Sequence, residues 1–191
     1  MTRTSFLASA VAVILLLTGC ASTDSLVQSV PGENYVSSDG AVTEVAPENR
    51  GEPIVFDEVT SGGDPISNSD FLGSVMVVNF WFASCPPCRV EAPELAEYAN
   101  SAPAGVQFLG VNVYDDVAAA ESFENTYGIP YPSVLDSANG SMRLAFAGDL
   151  PPSGVPVTLI VDKEGRVAGR YSGVILDYSI LSDMVDRVLA E

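Results

Sequence analysis

The sequence contains no histidine and few basic residues. Its 191 residues include 8 lysines and arginines against 25 aspartates and glutamates, which gives a formal net charge of −17. Without an imidazole, serine–histidine and cysteine–histidine hydrolases, histidine-ligated haem and the usual zinc sites are excluded. The basic residues are scattered, so no surface is expected to bind nucleic acid. The chemistry must therefore come from carboxylates, hydroxyls or the three cysteines.

The N-terminal apolar run is too short to span a membrane as a helix. It covers residues 6–17, whereas a spanning helix needs about 20 apolar residues. Its length is typical of a secretory signal, here residues 1–19. The segment from Leu17 to Cys20 resembles the lipobox of bacterial lipoproteins, in which cleavage leaves the cysteine as a lipidated first residue. We therefore predict a lipid anchor at Cys20 on the extracytoplasmic face of the bacterial cell membrane. The alternative is a cysteine that happens to end a signal peptide.

The remaining chain divides into two segments of different composition. Residues 20–50 are rich in small, polar and acidic residues without a lasting apolar period, which predicts the lipidated cysteine followed by a flexible tether. Residues 51–191 have the length of one ordinary domain. There, apolar runs at 75–82 and 106–114 predict buried strands. The predicted helices cover residues 86–100, 117–127 and 180–189, and a predicted hairpin joins residues 158–161 to 167–171. This order predicts an α/β domain with a central mixed β-sheet flanked by helices.

Cys85 and Cys88 lie between a predicted buried strand and the start of a predicted helix. Their spacing across the first helical turn brings the two sulfurs close enough to bond. The free N–H groups and positive end of the helix favour a thiolate on Cys85, and the thiolate is the form that attacks a disulfide. Cys88 is then placed to resolve the mixed disulfide. The pair predicts a redox-active disulfide that needs no other cofactor.

Two structural alternatives remain for this pair. Half of a zinc site would need two further soft ligands, but Cys20 is expected to carry lipid and histidine is absent. A static disulfide would close a very small loop and so stabilise the fold little. Redox activity is the interpretation that the sequence favours.

The segment from Val78 to Arg89 resembles the active-site segment of the thioredoxin superfamily. It is most similar to the membrane-anchored extracytoplasmic branch typified by ResA and TlpA, and the resemblance covers residues 51–191. Further matching segments lie at residues 131–136 and 154–158. The resemblance implies a thioredoxin-like fold and catalysis of thiol–disulfide exchange by Cys85 and Cys88.

The resemblance also implies roles for residues around the pair. Pro156 matches the cis-proline that faces the cysteines in this fold and would present the backbone of Val155 to an incoming extended peptide. Trp81, Pro86 and Pro87 are expected beside that peptide in the substrate groove. For Trp81, packing beside the site is the simpler interpretation.

Three polar positions qualify the resemblance. Glu91 matches a glutamate that ResA-like proteins place near the pair, where it would tune Cys88 or relay its proton. The alternative is an ordinary acidic residue that favours a helix N-terminus. Asn79 stands where thioredoxin keeps a buried aspartate, and an amide cannot titrate. Ser84 stands where many relatives have tryptophan, so the partner surface is expected to be smaller and more polar.

The predicted function is that of a lipid-anchored enzyme that reduces disulfides in extracytoplasmic client proteins with cysteine pairs. The resemblance implies apocytochrome c as a possible client and a membrane thiol carrier as the electron donor. A disulfide-forming oxidase is the same chemistry in the other direction. A peroxiredoxin-like peroxidase is less favoured because the expected threonine is missing before Cys85, and a metal-carrying lipoprotein because there is no histidine.

Overall fold

The computed structural model describes residues 34–39, 41–148 and 151–191. The predicted signal segment 1–19 and the predicted lipidation site Cys20 lie outside these residues. Within them, none of the helices has the length and apolar character needed to cross a membrane.

Nine strands and four α-helices are present in the part of the chain that the structure describes. The strands are β1 (Tyr35–Val36), β2 (Val42–Glu44), β3 (Asp57–Val59), β4 (Pro65–Ser67), β5 (Val75–Trp81), β6 (Val106–Asn112), β7 (Ser133–Leu135), β8 (Val157–Val161) and β9 (Val167–Ser172). The α-helices are α1 (Pro86–Ser101), α2 (Val117–Tyr127), α3 (Ser141–Ala145) and α4 (Ser179–Leu189). The strands and helices predicted after residue 74 agree with β5, α1, β6, α2, β8, β9 and α4 to within two residues at each end.

Seven of the strands form one mixed sheet in the order β1-β2-β9-β8-β5-β6-β7. β5 pairs in parallel with β6, and β6 in parallel with β7, whereas the other neighbours are antiparallel. Every residue of β5 is buried, as its continuous apolar run predicts. The predicted mixed sheet flanked by helices is therefore confirmed.

Alternate residues of β5 face two different hydrophobic layers, because successive side chains of a strand point to opposite faces. Val75 and Val77 pack against side chains of α1 and α4. Met76, Val78 and Phe80 pack on the opposite face, where α3 and the β3–β4 hairpin with its flanking residues form the cover. Both faces of the sheet are thus closed, and the C-terminal end of β5 leads into the loop that carries the cysteines.

The flexible tether was predicted within residues 20–50. That prediction is wrong for residues 34–39 and 41–50, because they belong to the folded domain. β2 pairs with β9, with Val42 opposite Tyr171, and β1 pairs with β2. Val42 and Val45 are buried. A short edge strand takes its hydrogen bonds and burial from a neighbour that already exists, so it needs no apolar period of its own. The domain therefore begins before the predicted residue 51.

The elements that the sequence did not predict are short. β3, β4 and β7 have three residues each, and α3 has five. Windows of this length hold too few residues to show a helical or strand period. Their positions are determined by packing against the rest of the domain and not by a pattern in their own sequence.

Candidate active site

Cys85 and Cys88 form a disulfide bond where β5 ends and α1 begins. Cys85 is the N-cap residue of α1, and its Sγ accepts a hydrogen bond of 3.2 Å from the backbone N–H of Cys88. Pro86 and Pro87 occupy the first helical turn, where a missing N–H removes no helical hydrogen bond. The bonded cysteines are buried, with 2% and 1% of their surface exposed. The local sequence thus sets a sulfur pair at a helix N-terminus, as predicted.

The segment before β8 brings a second backbone element to the cysteines. The peptide bond between Val155 and Pro156 is cis, as the resemblance implies. Val155 packs against the cluster that contains Cys85, Cys88 and Trp81. Because these residues are about 70 positions apart in sequence, the sheet pairing of β5 with β8 is what brings them together.

Trp81 lies beneath the cysteine pair rather than on the surface. It is 3% exposed, and its ring stacks on Phe123 of α2 with the centroids 4.3 Å apart. It therefore has the packing role, and its predicted place on the exposed substrate groove does not fit this burial. Pro86 is exposed and Pro87 is half-buried, so these two residues do lie on the surface beside the disulfide.

Glu91 is a buried carboxyl group, with 1% of its surface exposed. Its Oε1 accepts a hydrogen bond of 2.9 Å from Asn79 Nδ2, and its Oε2 accepts one of 3.1 Å from the backbone N–H of Ile175. Burial raises the pKa of Glu91 to about 7, while the two hydrogen bonds act in the opposite direction. A carboxyl with this pKa can gain or lose a proton near neutral pH. This environment does not fit an ordinary solvated residue of a helix N-terminus.

Asn79 connects Glu91 to the strand that follows the cis-proline. Its Nδ2 also donates a hydrogen bond of 3.1 Å to the hydroxyl of Thr158, which is its cross-strand neighbour. Sequence reasoning missed Thr158 and Ile175, because their contacts with this network join distant parts of the chain. Only an alignment of β5 with β8 that sets Asn79 opposite Thr158 could have predicted this contact from the sequence.

A small cavity lies between Asn79 and Cys88. Its volume is about 10 Å³, close to the space of one water molecule. Tyr131 lines the same cavity, and burial together with the charges of Glu91 and Glu124 raises the pKa of its phenol. The polar network and Cys88 therefore border one common internal space.

Asp115 holds the active-site loop from the neighbouring strand end, a role that the sequence did not reveal. Its Oδ2 accepts a hydrogen bond from the backbone N–H of Ala83 and one of 2.7 Å from Asn112 Nδ2. Asn112 Oδ1 in turn accepts a bond of 2.8 Å from the N–H of Asp115. The loop before Cys85 is thus fixed to the β6–α2 connection.

A groove of about 430 Å³ runs beside the cis-proline segment, and we call it the cis-proline groove. Its lining combines aromatic and aliphatic side chains with one arginine and the segment before the cis-proline. The lining residues are Phe80, Phe82, Val113, Tyr114, Arg143, Pro152, Ser153, Gly154 and Val155. Phe82 and Val155 line this groove and also pack against the cluster that contains Cys85 and Cys88, so the groove gives an extended peptide room to lie along the Val155 backbone. Among the described residues, no group of three or more acidic, histidine or cysteine side chains is arranged to hold a metal ion.

Comparison with known proteins agrees with this geometry. The family model described as Redoxin matches residues 41–184. The thiol:disulfide interchange protein DsbE of Pseudomonas aeruginosa is 35% identical over 128 residues, covering 65% of this chain and 67% of that protein. The thiol-disulfide oxidoreductase ResA of Bacillus subtilis is 30% identical over 129 residues, covering 67% of this chain and 69% of ResA.

A solved structure shows the same fold. It is a thiol:disulfide interchange protein of the thioredoxin family from Chlorobium tepidum, with 28% identity and a TM-score of 0.66. The match covers 73% of this chain and 97% of that structure. The predicted thioredoxin-like fold is therefore confirmed.

Proposed function

The chain belongs to the Redoxin family and is a thiol–disulfide oxidoreductase, and on that premise we propose that it reduces client disulfides outside the cytoplasm while anchored to a membrane. The observation that carries this proposal is the Cys85–Cys88 disulfide at the start of α1, next to the cis-proline segment. Relatives of similar sequence are named as disulfide interchange proteins and oxidoreductases, which supports the exchange chemistry.

The reaction begins from the reduced pair. The Cys85 thiolate attacks one sulfur of the client disulfide; the client S–S bond breaks, and the released client sulfur takes up a proton. Cys88 then loses its proton and attacks the Cys85 sulfur of the mixed disulfide. The Cys85–Cys88 bond forms and the second client cysteine leaves as a thiol. Two electrons pass from the enzyme to the client. Of the two protons on the released thiols, one balances the proton lost by Cys88 and the other comes from solvent, because Cys85 reacts as the thiolate.

Glu91 is the proton acceptor that we propose for Cys88. It lies one helical turn after Cys88, its carboxyl is buried, and the cavity beside Cys88 is bordered by the Asn79 amide that holds it. Because burial raises the pKa of Glu91 to about 7, the ionised carboxylate is available near neutral pH and is a strong enough base to accept the proton.

The client proteins and the cellular location are proposed from the sequence and not from the geometry of the active site. The lipobox-like segment ending at Cys20 supports a lipid anchor, and the short apolar run before it supports export. The resemblance to ResA-like proteins supports clients with cysteine pairs, among them apocytochrome c. A membrane thiol carrier would return electrons to the pair after each turnover.

The experiment that tests the direction is a measurement of the reduction potential of the pair in thiol buffers. Trp81 fluorescence is expected to report the redox state, because the indole packs in the same cluster as both sulfurs. A potential near that of thioredoxin, about −270 mV, is expected for a reductase. A potential near −120 mV would indicate a disulfide-forming oxidase and contradict the proposed direction.

A second experiment tests the same point in cells. Thiol trapping of exported proteins in a strain that lacks this chain should find clients held in the oxidised state. Clients held in the reduced state would instead show that the enzyme forms disulfides.

A further inference from the structure

A recess of about 230 Å³ shares no lining residue with the cis-proline groove. It is bounded by the active-site loop, α1 and α2. Its polar lining consists of Arg89, Ser122, Thr126 and Tyr127, and Phe123 and Ala83 contribute apolar surface. We call it the Arg89 recess.

Arg89 lies in the first turn of α1, next to the cysteine pair in the chain. It follows Cys88 directly, and its backbone N–H donates a hydrogen bond of 3.2 Å to the carbonyl of Cys85. Ala83, two residues before Cys85, lines the recess together with Arg89. The recess therefore reaches the loop that carries the attacking cysteine.

Arg89 also differs from most other arginines of the described chain in its partners. Arg50, Arg143, Arg166 and Arg187 each contact a carboxylate within 4.0 Å. Within the described residues, no such ion pair is found for Arg89. Its side chain is exposed, and Nε donates a hydrogen bond of 3.2 Å to the Tyr127 hydroxyl. That bond holds the guanidinium at the recess.

We propose that the Arg89 recess binds an acidic side chain of the protein that exchanges disulfides with Cys85, at a position close to that protein's reactive cysteine. The inference rests on the proposed function and adds a preference for one class of partner. Arginine presents several N–H donors in a planar fork that suits a carboxylate. The net charge of −17 repels acidic proteins at long range, so a cation that has no carboxylate partner among the described residues confines their attraction to the recess.

The test uses the full chain in its reduced form and synthetic peptides that each contain one disulfide. The peptides are identical except for Asp, Asn or Lys beside one cysteine. The rate at which each peptide oxidises the protein is followed by Trp81 fluorescence at an ionic strength of about 0.15 M, where the long-range field of the net charge is largely screened. The Asp peptide is expected to react about three- to fivefold faster than the Asn peptide, and the Lys peptide slowest. Added salt should reduce these differences.

Three variants test whether the preference for the Asp peptide arises at the Arg89 recess. Arg89→Gln should bring the Asp and Asn rates to within about 1.5-fold of each other while the Asn rate stays near that of the wild type. Tyr127→Phe should weaken the preference, because it removes the hydroxyl that positions the guanidinium. Arg187→Gln is the control, since it removes the same charge from α4, where Arg187 pairs with Glu44 and does not line the recess, and it should retain the full preference.

Three results would overturn the inference. The first is equal reaction of the wild type with the Asp and Asn peptides, and the second is a preference that survives in Arg89→Gln. The third is an equal fall of all peptide rates in Arg89→Gln, which would show that Arg89 acts on the cysteine thiolate and not on the partner. If no peptide oxidised the reduced wild-type protein, the proposed function itself would be refuted, and the inference with it.

Discussion

Two buried carboxylates at opposite ends of the sheet show how differently one chemical group can be held. Glu91 lies near the C-terminal end of β5, where the cysteines are, and both of its oxygens accept hydrogen bonds from neutral N–H groups. Asp162 follows β8 at the other end, and its Oδ2 contacts Arg50 at 2.9 Å and Arg166 at 2.8 Å. The buried Asp162 charge is thus balanced by cations, whereas the Glu91 charge has only dipoles beside it.

The difference separates an acid that holds the fold together from one whose pKa lies near neutral pH. Asp162 Oδ1 also accepts backbone hydrogen bonds from Glu164 and Arg166, which close the β8–β9 turn. Arg50 in turn joins this turn to Glu191 at the C-terminus. Removal of a charge is therefore expected to destabilise the fold at the Asp162 end and to impair catalysis at the Glu91 end.

The largest effect is expected from Asp162→Asn. The substitution leaves the side chain of Arg50, of which 2% is exposed, without one of its buried partners. Breaking a buried ion pair costs about 3–5 kcal/mol. Urea denaturation should show a loss of this size, with the disulfide exchange rate unchanged at temperatures where the variant is folded. Glu164→Gln is the control: its exposed contact with Arg166 should contribute less than about 1 kcal/mol.

Glu91 should contribute to the pH dependence of the free energy of unfolding. Its pKa is about 7 in the folded protein and near the ordinary glutamate value of 4.5 when the chain is unfolded. The folded state therefore holds the proton more tightly, and the resulting stabilisation is complete below about pH 4.5 and is lost as the pH rises through about 7. The loss is about 3 kcal/mol, because one pKa unit corresponds to about 1.4 kcal/mol.

This contribution is measured as a difference between two proteins. Free energies of unfolding of the wild type and Glu91→Gln are determined from about pH 4.5 to 8, so that contributions from all other acids cancel. The wild type should lose stability relative to the variant as the pH rises. Parallel curves would show that Glu91 is already ionised in the folded protein at low pH.

Catalysis should respond to the same substitution. Glu91→Gln keeps the size of the side chain but cannot accept the Cys88 proton, and general base catalysis contributes about a hundredfold or more. The step in which Cys88 resolves the mixed disulfide should slow accordingly at pH 7, while the first attack by Cys85 is little changed. Stopped-flow fluorescence with a preformed mixed disulfide separates the two steps. An unchanged resolution rate would remove Glu91 from the mechanism.

The smallest effect is expected from Thr158→Val. It removes the hydroxyl that accepts a hydrogen bond of 3.1 Å from Asn79, and so leaves one buried amide N–H without that partner. The cost should be about 1–2 kcal/mol of folding stability. Thermal or urea unfolding measures it, and Thr158→Ser, which keeps the hydroxyl, should recover most of the loss. Equal stabilities of the valine and serine variants would show that the hydroxyl contributes nothing.

The sequence by itself determined what depends on neighbouring residues. The spacing of Cys85 and Cys88, the prolines between them and the apolar run of β5 are local features, and they predicted the disulfide, the start of α1 and the buried strand. Hydrogen bonds and side-chain periods within one element extend over only a few residues, so a pattern of that length is sufficient.

The tertiary structure decided what depends on residues far apart in the chain. The sequence left open whether Glu91 was a helix-end acid or a proton carrier, and the buried environment that supports the proposed proton-carrier role is set by Asn79 and Ile175, which are 12 and 84 residues away. The edge strands before residue 51 likewise depend on β9. Burial and electrostatic environment are set by all the groups that surround a side chain, and only the folded sheet brings those groups together.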